Sequence, residues 1–317
     1  MITGDGIALD SVPLDRLQGG GFFAGRPVKG RIGKTFWVDS TSSQPGDGKA
    51  AYPCRKIADA LALCESGRGD VILVAAGHSE PVITAAGGLT ISKNNVAIIG
   101  LGEGTNRPAI TFSTSTSASV LVSGTGVRIE GLFFNCTGID GLTQPLNITG
   151  PGCVVQNNTF GTATTSNQCV QAILTGTGAN NLIVRGNVFR PNASSALASA
   201  GVTAAITIVG ASNIRIEDNV MLGAFGSAVG VIQNLTTVTT NITIVGNLIR
   251  NYTASCTKAI ALITDSTAGG AGLGTSGIIA RNMMQILSGT APITGDNMAW
   301  VGGNYYAAAL ATAGTLI

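Results

Sequence analysis

The stretch Cys153-Val154-Val155-Gln156-Asn157-Asn158-Thr159-Phe160 recurs along the chain, and this recurrence limits the fold more than any other feature. It returns as Leu182 to Phe189, Ile214 to Met221 and Ile242 to Ile249, with looser copies over Val127 to Phe134, Ile278 to Met284 and Ala299 to Tyr306. Each copy is a β-branched run, then a polar or glycine corner, usually an Asn, then a large apolar residue. Aligning the corner gives Leu101, Leu132, Asn158, Asn187, Asn219, Asn247, Asn282 and Asn304, in steps of 31, 26, 29, 32, 28, 35 and 22 residues. A period in this range marks stacked units, none of which can bury its apolar face alone.

From Leu89 each period holds up to three short strand-like runs. Val120 to Val122, Val170 to Ile173, Ala205 to Ile208, Val229 to Ile232 and Ile260 to Ile263 precede the repeated stretch. The stretch itself is the second run, and the third follows the corner. Turns such as Ser123-Gly124-Thr125-Gly126 separate the first two. Leucine-rich repeats share the period but need a fixed L-x-x-L-x-L, which is missing. The spacing therefore predicts an all-β chain, a right-handed parallel β-helix of about 8 coils. Inward Val, Ile and Leu should form ladders about 4.8 Å apart, and the corner Asn is expected to take the left-handed conformation.

Before the coils the pattern changes. Residues 1–33 read as an extended arm, 34–88 as a capping strand–helix–strand segment, and 89–317 as the β-helix. Thr35 to Asp39 and Asp70 to Ala75 are expected strands. Pro53 should open a helix on which Cys54, Ile57, Leu61 and Cys64 form one apolar stripe, with Gly67 closing it. Solenoids need covered ends, so this stripe is expected to seal the first coil. The arm, mobile if alone, is expected to lie on a neighbouring subunit.

Charged residues are 11% of the chain, against roughly 25% in ordinary globular domains. A surface so poor in charge points to burial against copies of itself or another protein. The net charge of +2 gives no general affinity for nucleic acid. Positive charge gathers in residues 16–56, where Arg16, Arg26, Lys29, Arg31, Lys34, Lys49, Arg55 and Lys56 face only Asp39 and Asp47. That asymmetry suggests a docking end. The first residues lack a basic start followed by an apolar run, and no run of about twenty apolar residues could cross a membrane. Six cysteines show no metal spacing. Cys54 and Cys64, about 15 Å apart on a helix, are too distant to bridge, so reduced thiols made in a cytoplasm are expected.

Phe36-Trp37-Val38-Asp39-Ser40, the capping helix, the run Asp70 to Glu80 with its Gly77-His78-Ser79-Glu80 turn, and the coils that follow resemble β-helix virion proteins of tailed bacteriophages. The resemblance spans roughly residues 34–306, and its coils are of the pectate-lyase kind. It implies a homotrimer that is either a capsid decoration (cement) or head-spike protein, or a tailspike that binds or cleaves surface glycans. On this reading Arg16, Arg26, Lys29, Arg31 and Lys34 dock on the major capsid protein or another virion protein. Phe22, Phe23, Arg128 and Arg215 are placed at the subunit interface.

Catalysis has little support in the residues. Glycoside hydrolysis needs two carboxyls about 5–9.5 Å apart. Glu130 and Glu217 fall three coils apart, about 14 Å at the ladder spacing, while Glu217 and Asp218 should point to opposite faces. Asp140 and Asp265 lie in loops with no predicted convergence. His78, the single histidine, stands beside Ser79 and near Asp70, but a base rarely reaches its own neighbour's hydroxyl; a turn histidine bonded to backbone is the plainer reading. Arg128/Glu130 and Arg215/Glu217 flank inward Ile129 and Ile216, so they should face outward. Trp37, Trp300, Tyr305 and Tyr306 suit cap and core roles better than a sugar platform. Gly269 to Gly274 lacks the lysine of a phosphate loop. The expectation is a non-enzymatic structural virion protein with no catalytic residue, metal, cofactor, nucleic acid or membrane partner. A tailspike-like protein with a host surface glycan as ligand is the alternative.

Overall fold

The computed structural model describes residues 33–43, 46–82, 87–162, 169–191, 204–226, 229–234, 237–253, 256–262, 275–286, 292–294, 298–307 and 315–316. Residues 1–32, which hold Arg16, Phe22, Phe23, Arg26, Lys29 and Arg31, lie outside the described residues, as do Asp265 and Gly269–Gly274.

Three parallel sheets run the length of a right-handed β-helix. The first has ten strands, from Thr35–Val38 and Val71–Val74 through Arg128–Glu130, Val154–Gln156, Ile183–Arg185, Arg215–Glu217 and Ile242–Val245 to Met298–Gly302. The second has eight, from Leu89–Ile91 to Ile293–Thr294. The third begins at Ser79–Pro81 and ends with Tyr305–Ala307, on which Thr315–Leu316 lies antiparallel. Strands stack rung on rung because coil after coil of the first sheet repeats an inward aliphatic between outward residues; the register shifts at Gly277/Ile278, where Gly277–Ala280 meets Met298–Gly302. Ile98, Ile129, Val155, Val184, Ile216, Ile244 and Ile279 form one unbroken inward ladder. Each is essentially sealed from water, and burying such a side chain is worth about 1.5–3 kcal/mol.

The third sheet carries a stack of rings. Phe134, Phe160 and Phe189 are rung partners, with centroids 4.7 and 4.9 Å apart and planes within 8°. The rung spacing of a parallel sheet sets this separation.

The corner asparagines are buried and linked in a continuous side-chain ladder. The Nδ2 of Asn158 donates to the Oδ1 of Asn187 at 3.2 Å, Asn187 to Asn219 at 3.0 Å, Asn219 to Asn247 at 3.0 Å, Asn247 to Asn282 at 2.9 Å and Asn282 to Asn304 at 3.0 Å. Each also donates to a backbone carbonyl of the preceding coil. The expectation that these asparagines adopt the left-handed conformation is corrected. Positive φ belongs to the residue just before each of them: Asn157, Gly186, Asp218, Gly246, Arg281 and Gly303. The corner Asn is fixed by its amide, and its neighbour makes the turn.

Those left-handed positions alternate between a side chain and glycine, and at Gly186 and Gly246 the reason is steric. A Cβ on Gly246 (φ +70°) would stand 2.3 Å from Asp218 Oδ1, and one on Gly186 2.6 Å from Asn157 Oδ1. Gly104 (φ +56°) has open space around it. Gly246→Ala is therefore expected to cost about 1–3 kcal/mol, more than Gly104→Ala, which meets only the left-handed strain. Equal melting temperatures for the two variants would remove the steric explanation.

The helix is shorter than its stripe suggests. It spans Ile57–Leu63, with Cys64 as an extended C-cap. Cys54 lies before it, bridged to Val38, and Gly67 turns three residues beyond the cap. The stripe is nonetheless buried: Cys54, Ile57, Leu61 and Cys64 join the core. The helix lies against Thr35–Val38, Val71–Val74 and Leu89–Ile91, sealing the first coil.

Asp70 anchors this cap. Its Oδ1 accepts from the Lys34 amide at 2.7 Å and Arg68 Nε at 2.5 Å; its Oδ2 accepts from the Glu65 amide at 2.7 Å and Arg68 Nη2 at 2.6 Å. All six cysteines are free and buried. Burial pushes the Cys64 thiol up to about 12 and the Cys256 thiol up to about 11. The thiolate is the reactive form, so a thiol reagent at pH 8 is expected to label none of the six in native protein and all six in denaturant. Rapid labelling of the native chain would contradict the sealed core.

Candidate functional site

His78, Ser79 and Asp70 do not form a catalytic group. Asp70 is saturated by its four donors, and the Ser79 amide bonds Ser40 Oγ at 3.2 Å. The His78 ring is buried, with Nε2 3.3 Å from Glu80 Oε2. The same oxygen accepts the Ile57 amide at 2.7 Å. The expectation of a backbone-bonded histidine is thus corrected: the ring bonds the carboxylate that satisfies the first amide of the helix. A helix start leaves such amides orphaned, which is why a buried glutamate belongs here.

The outward face of the first sheet is richer. One column runs Ala97, Arg128, Val154, Ile183, Arg215, Thr243 and Ile278; the next runs Ile99, Glu130, Gln156, Arg185, Glu217, Val245 and Ala280. Ala280, two residues before the corner Asn282, completes the second column, and Arg281 sits at the left-handed corner (φ 53°). Arg128 pairs with Glu130, whose Oε1 also accepts from Asn157 Nδ2 at 3.1 Å. Arg185 Nε donates to Gln156 Oε1 at 2.9 Å, and Arg215 meets Glu217 at 2.7 Å. Both ion pairs face solvent and are worth under about 1 kcal/mol each. Glu130 and Glu217 are three rungs apart, as the repeat implies. Asp218, with φ 53°, is a corner residue, so strand alternation with Glu217 does not apply to it.

Where this face meets the third sheet, a groove of about 690 Å³ opens. Its floor is Ile99, Gly100, Glu130, Gly131, Asn157, Gly186 and Val188, drawn from four coils; its wall is Leu101, Gly102, Glu103 and Arg107. The wall stands because Gly104–Asn106 makes a tight turn and Arg107 reaches back across the coils. Arg107 Nη1 donates to Asn157 O at 2.7 Å and to Thr159 Oγ1 at 3.0 Å. The groove thus holds two carboxylates, a guanidinium, a carboxamide and the exposed apolar Leu101 over a glycine floor. Planar polar groups beside an apolar surface match the alternating hydroxyl edges and C–H faces of sugars.

Neither Glu103 nor Arg107 is singled out by the repeat, because their loop interrupts it; chain proximity of two unmatched charges was the available signal. Lys34 is exposed and bonds Asp70 through its amide. Arg128 and Arg215 face outward on the first sheet, each about half exposed. Asp140 is exposed on a loop, Tyr306 is buried, Tyr305 is 42% exposed, and the Trp300 side chain lies outside the described residues.

No protein-family model matches the chain, and no curated protein matches it in sequence. Among solved structures, the fold is similar to that of pectate lyase Pel9A, with a TM-score of 0.51 at 13% identity over 86% of this chain and 82% of that one. An alginate lyase from Paenibacillus sp. str. FPU-7 aligns with a TM-score of 0.42 at 16% identity, over 79% of this chain and 94% of that one. A rhamnogalacturonan lyase aligns with a TM-score of 0.42 at 13% identity, over 80% and 68%. The expectation that the chain is not an enzyme is corrected by the first of these: the fold is similar to that of a pectate lyase, so the fold leaves glycan cleavage open.

Proposed function

We propose that the chain is a polysaccharide-engaging β-helix, of the tailspike kind, that binds a glycan in the groove at its outer corner and cleaves it there. The groove carries this reading: four coils and one loop converge on an opening whose wall sets the apolar Leu101 beside Glu103 and Arg107. The rungs advance about 4.8 Å, comparable to the advance per sugar of an extended glycan. A chain laid along the coils would therefore meet successive rungs with successive sugars. Glu130, oriented on the groove floor by Arg128 and Asn157, is the carboxylate assigned to take the proton in this reading.

Binding and cleavage are read together by incubating the protein with a panel of bacterial surface polysaccharides, measuring affinity and reducing-end or unsaturated products. Asn157→Ala and Glu130→Gln are expected to lose affinity and product formation respectively. A panel that neither binds nor is cut sinks the reading.

A structural virion protein is the second reading, favoured by one observation. Leu248, Met283 and Tyr305 are consecutive outward rungs of the third sheet and are 37%, 56% and 42% exposed. An exposed apolar column of this kind suits subunit association, and the trimer and shell attachment through residues 1–33 belong to this proposal. Light scattering at the mass of a monomer, or unchanged binding to shells after deletion of residues 1–33, would count against it.

A further inference from the structure

We propose that Arg107 is the specificity-determining residue of the groove and that it selects glycans bearing carboxylate groups. This rests on the glycan reading above. Both hydrogen bonds that Arg107 makes come from one nitrogen, Nη1, and both go to uncharged oxygens. Its Nε and Nη2 donors have no partner among the described residues, and neither is a buried atom. That edge of a guanidinium is a planar fork matched to the two oxygens of a carboxylate. The Nη1 anchor holds the fork still, so little side-chain freedom remains to be lost on binding.

The other charges around the opening leave this role to Arg107. Glu130 is occupied by Arg128 and Asn157, and Arg185 is engaged by Gln156. Glu103 on the wall is exposed and makes no ion pair among the described residues. The lining itself holds Glu103, Glu130 and Arg107, a net charge of −1. Selection therefore comes from the fork's geometry rather than from a positive field, and Glu103 opposes the ligand.

The test uses the full chain and a panel of acidic bacterial surface polysaccharides, each before and after chemical reduction of its carboxyl groups, with dextran sulfate as a sulfated control. Affinity for the native polysaccharide is expected to fall at least about tenfold on carboxyl reduction, and as much for Arg107→Lys, which keeps the charge but loses the fork. Glu103→Gln is expected to strengthen binding at low salt. Thermal unfolding of Arg107→Lys should stay close to that of the parent. Equal binding of native and reduced polysaccharides overturns the inference while leaving the glycan reading in place. So does dextran sulfate binding that survives Arg107→Lys and matches the carboxylated ligands. Absence of binding to every member overturns both.

Discussion

Asn219→Ala is expected to destabilise the chain by on the order of 4 kcal/mol. Four side-chain hydrogen bonds disappear with the amide. Its Oδ1 accepts from the Asn187 amide and from Asn187 Nδ2, both at 3.0 Å; its Nδ2 donates to Val184 O at 2.9 Å and Asn247 Oδ1 at 3.0 Å. Alanine leaves the Asn187 amide without its acceptor and takes one bond each from Asn187 Nδ2, Val184 O and Asn247 Oδ1 inside a sealed corner, where an unsatisfied group costs about 1–3 kcal/mol. Some relaxation brings the total down from the sum. Asn219→Asp has the same shape and separates lost bonds from lost volume. It puts an oxygen against Val184 O and Asn247 Oδ1, and its loss should match or exceed that of alanine. Asn304→Ala, at the last rung of the ladder, should cost less because only one neighbouring coil depends on it. Urea unfolding with hydrogen exchange at the flanking rungs reads all three. A loss under about 1 kcal/mol for both position-219 variants would mean that the ladder is an ornament of stacking rather than a source of it.

The ladder also shows what a single sequence exposes and what it conceals. Stacking makes every coil repeat the same demands, so the inward aliphatics and the corner Asn recur at a readable period. The helix stripe was readable because Ile57, Leu61 and Cys64 recur at helical spacing. The conformation of the corner was not. Asn157, Gly186, Asp218, Gly246, Arg281 and Gly303 look like noise in a column, since their chemistry differs at each rung; what they share is a positive φ and an alternation imposed by the coil below.

The groove was hidden by a different cause. Arg107 and Asn157 are fifty residues apart, and nothing in the period brings a loop residue of one coil to a backbone carbonyl two coils on. The residues that specify the rod repeat, whereas those that shape the opening occur once. Function in a solenoid of this kind is carried by departures from the pattern, and a reading built on the pattern finds the scaffold first. The expectation of no enzymatic activity weighed acids by their place in the repeat and two loop acids, Asp140 and Asp265, and passed over Glu103, which the opening brings together with Glu130.

Asp70→Asn is expected to open the N-terminal cap, with a loss of about 3–5 kcal/mol. The substitution is nearly isosteric, so the effect comes from polarity alone. Both oxygens of Asp70 are occupied by donors, two each, and the carboxylate is fully buried. An amide keeps one oxygen and turns an NH2 group toward two donors. Whichever way it rotates, it faces either the Lys34 amide with Arg68 Nε or the Glu65 amide with Arg68 Nη2. Arg68, whose side chain is only 10% exposed, then keeps Glu65, 3.1 Å from its Nη1, as its counter-charge, and loses the buried one. The damage should be confined at first to what Asp70 ties together: the start of Thr35–Val38, the turn after Ile57–Leu63 and the first rung at Val71. Amides at Val38 and Cys54 are then expected to exchange with solvent well before those of Val155 or Ile216, because rungs depend chiefly on their neighbours. A double variant, Asp70→Asn with Arg68→Gln, should recover part of the loss by removing a charge that only the half-exposed Glu65 still neutralises. If Asp70→Asn instead shifts the whole exchange profile equally, the cap is inseparable from the rod and the coils do not unfold from their end. If it shifts nothing, the buried carboxylate is not what holds the helix over the first coil.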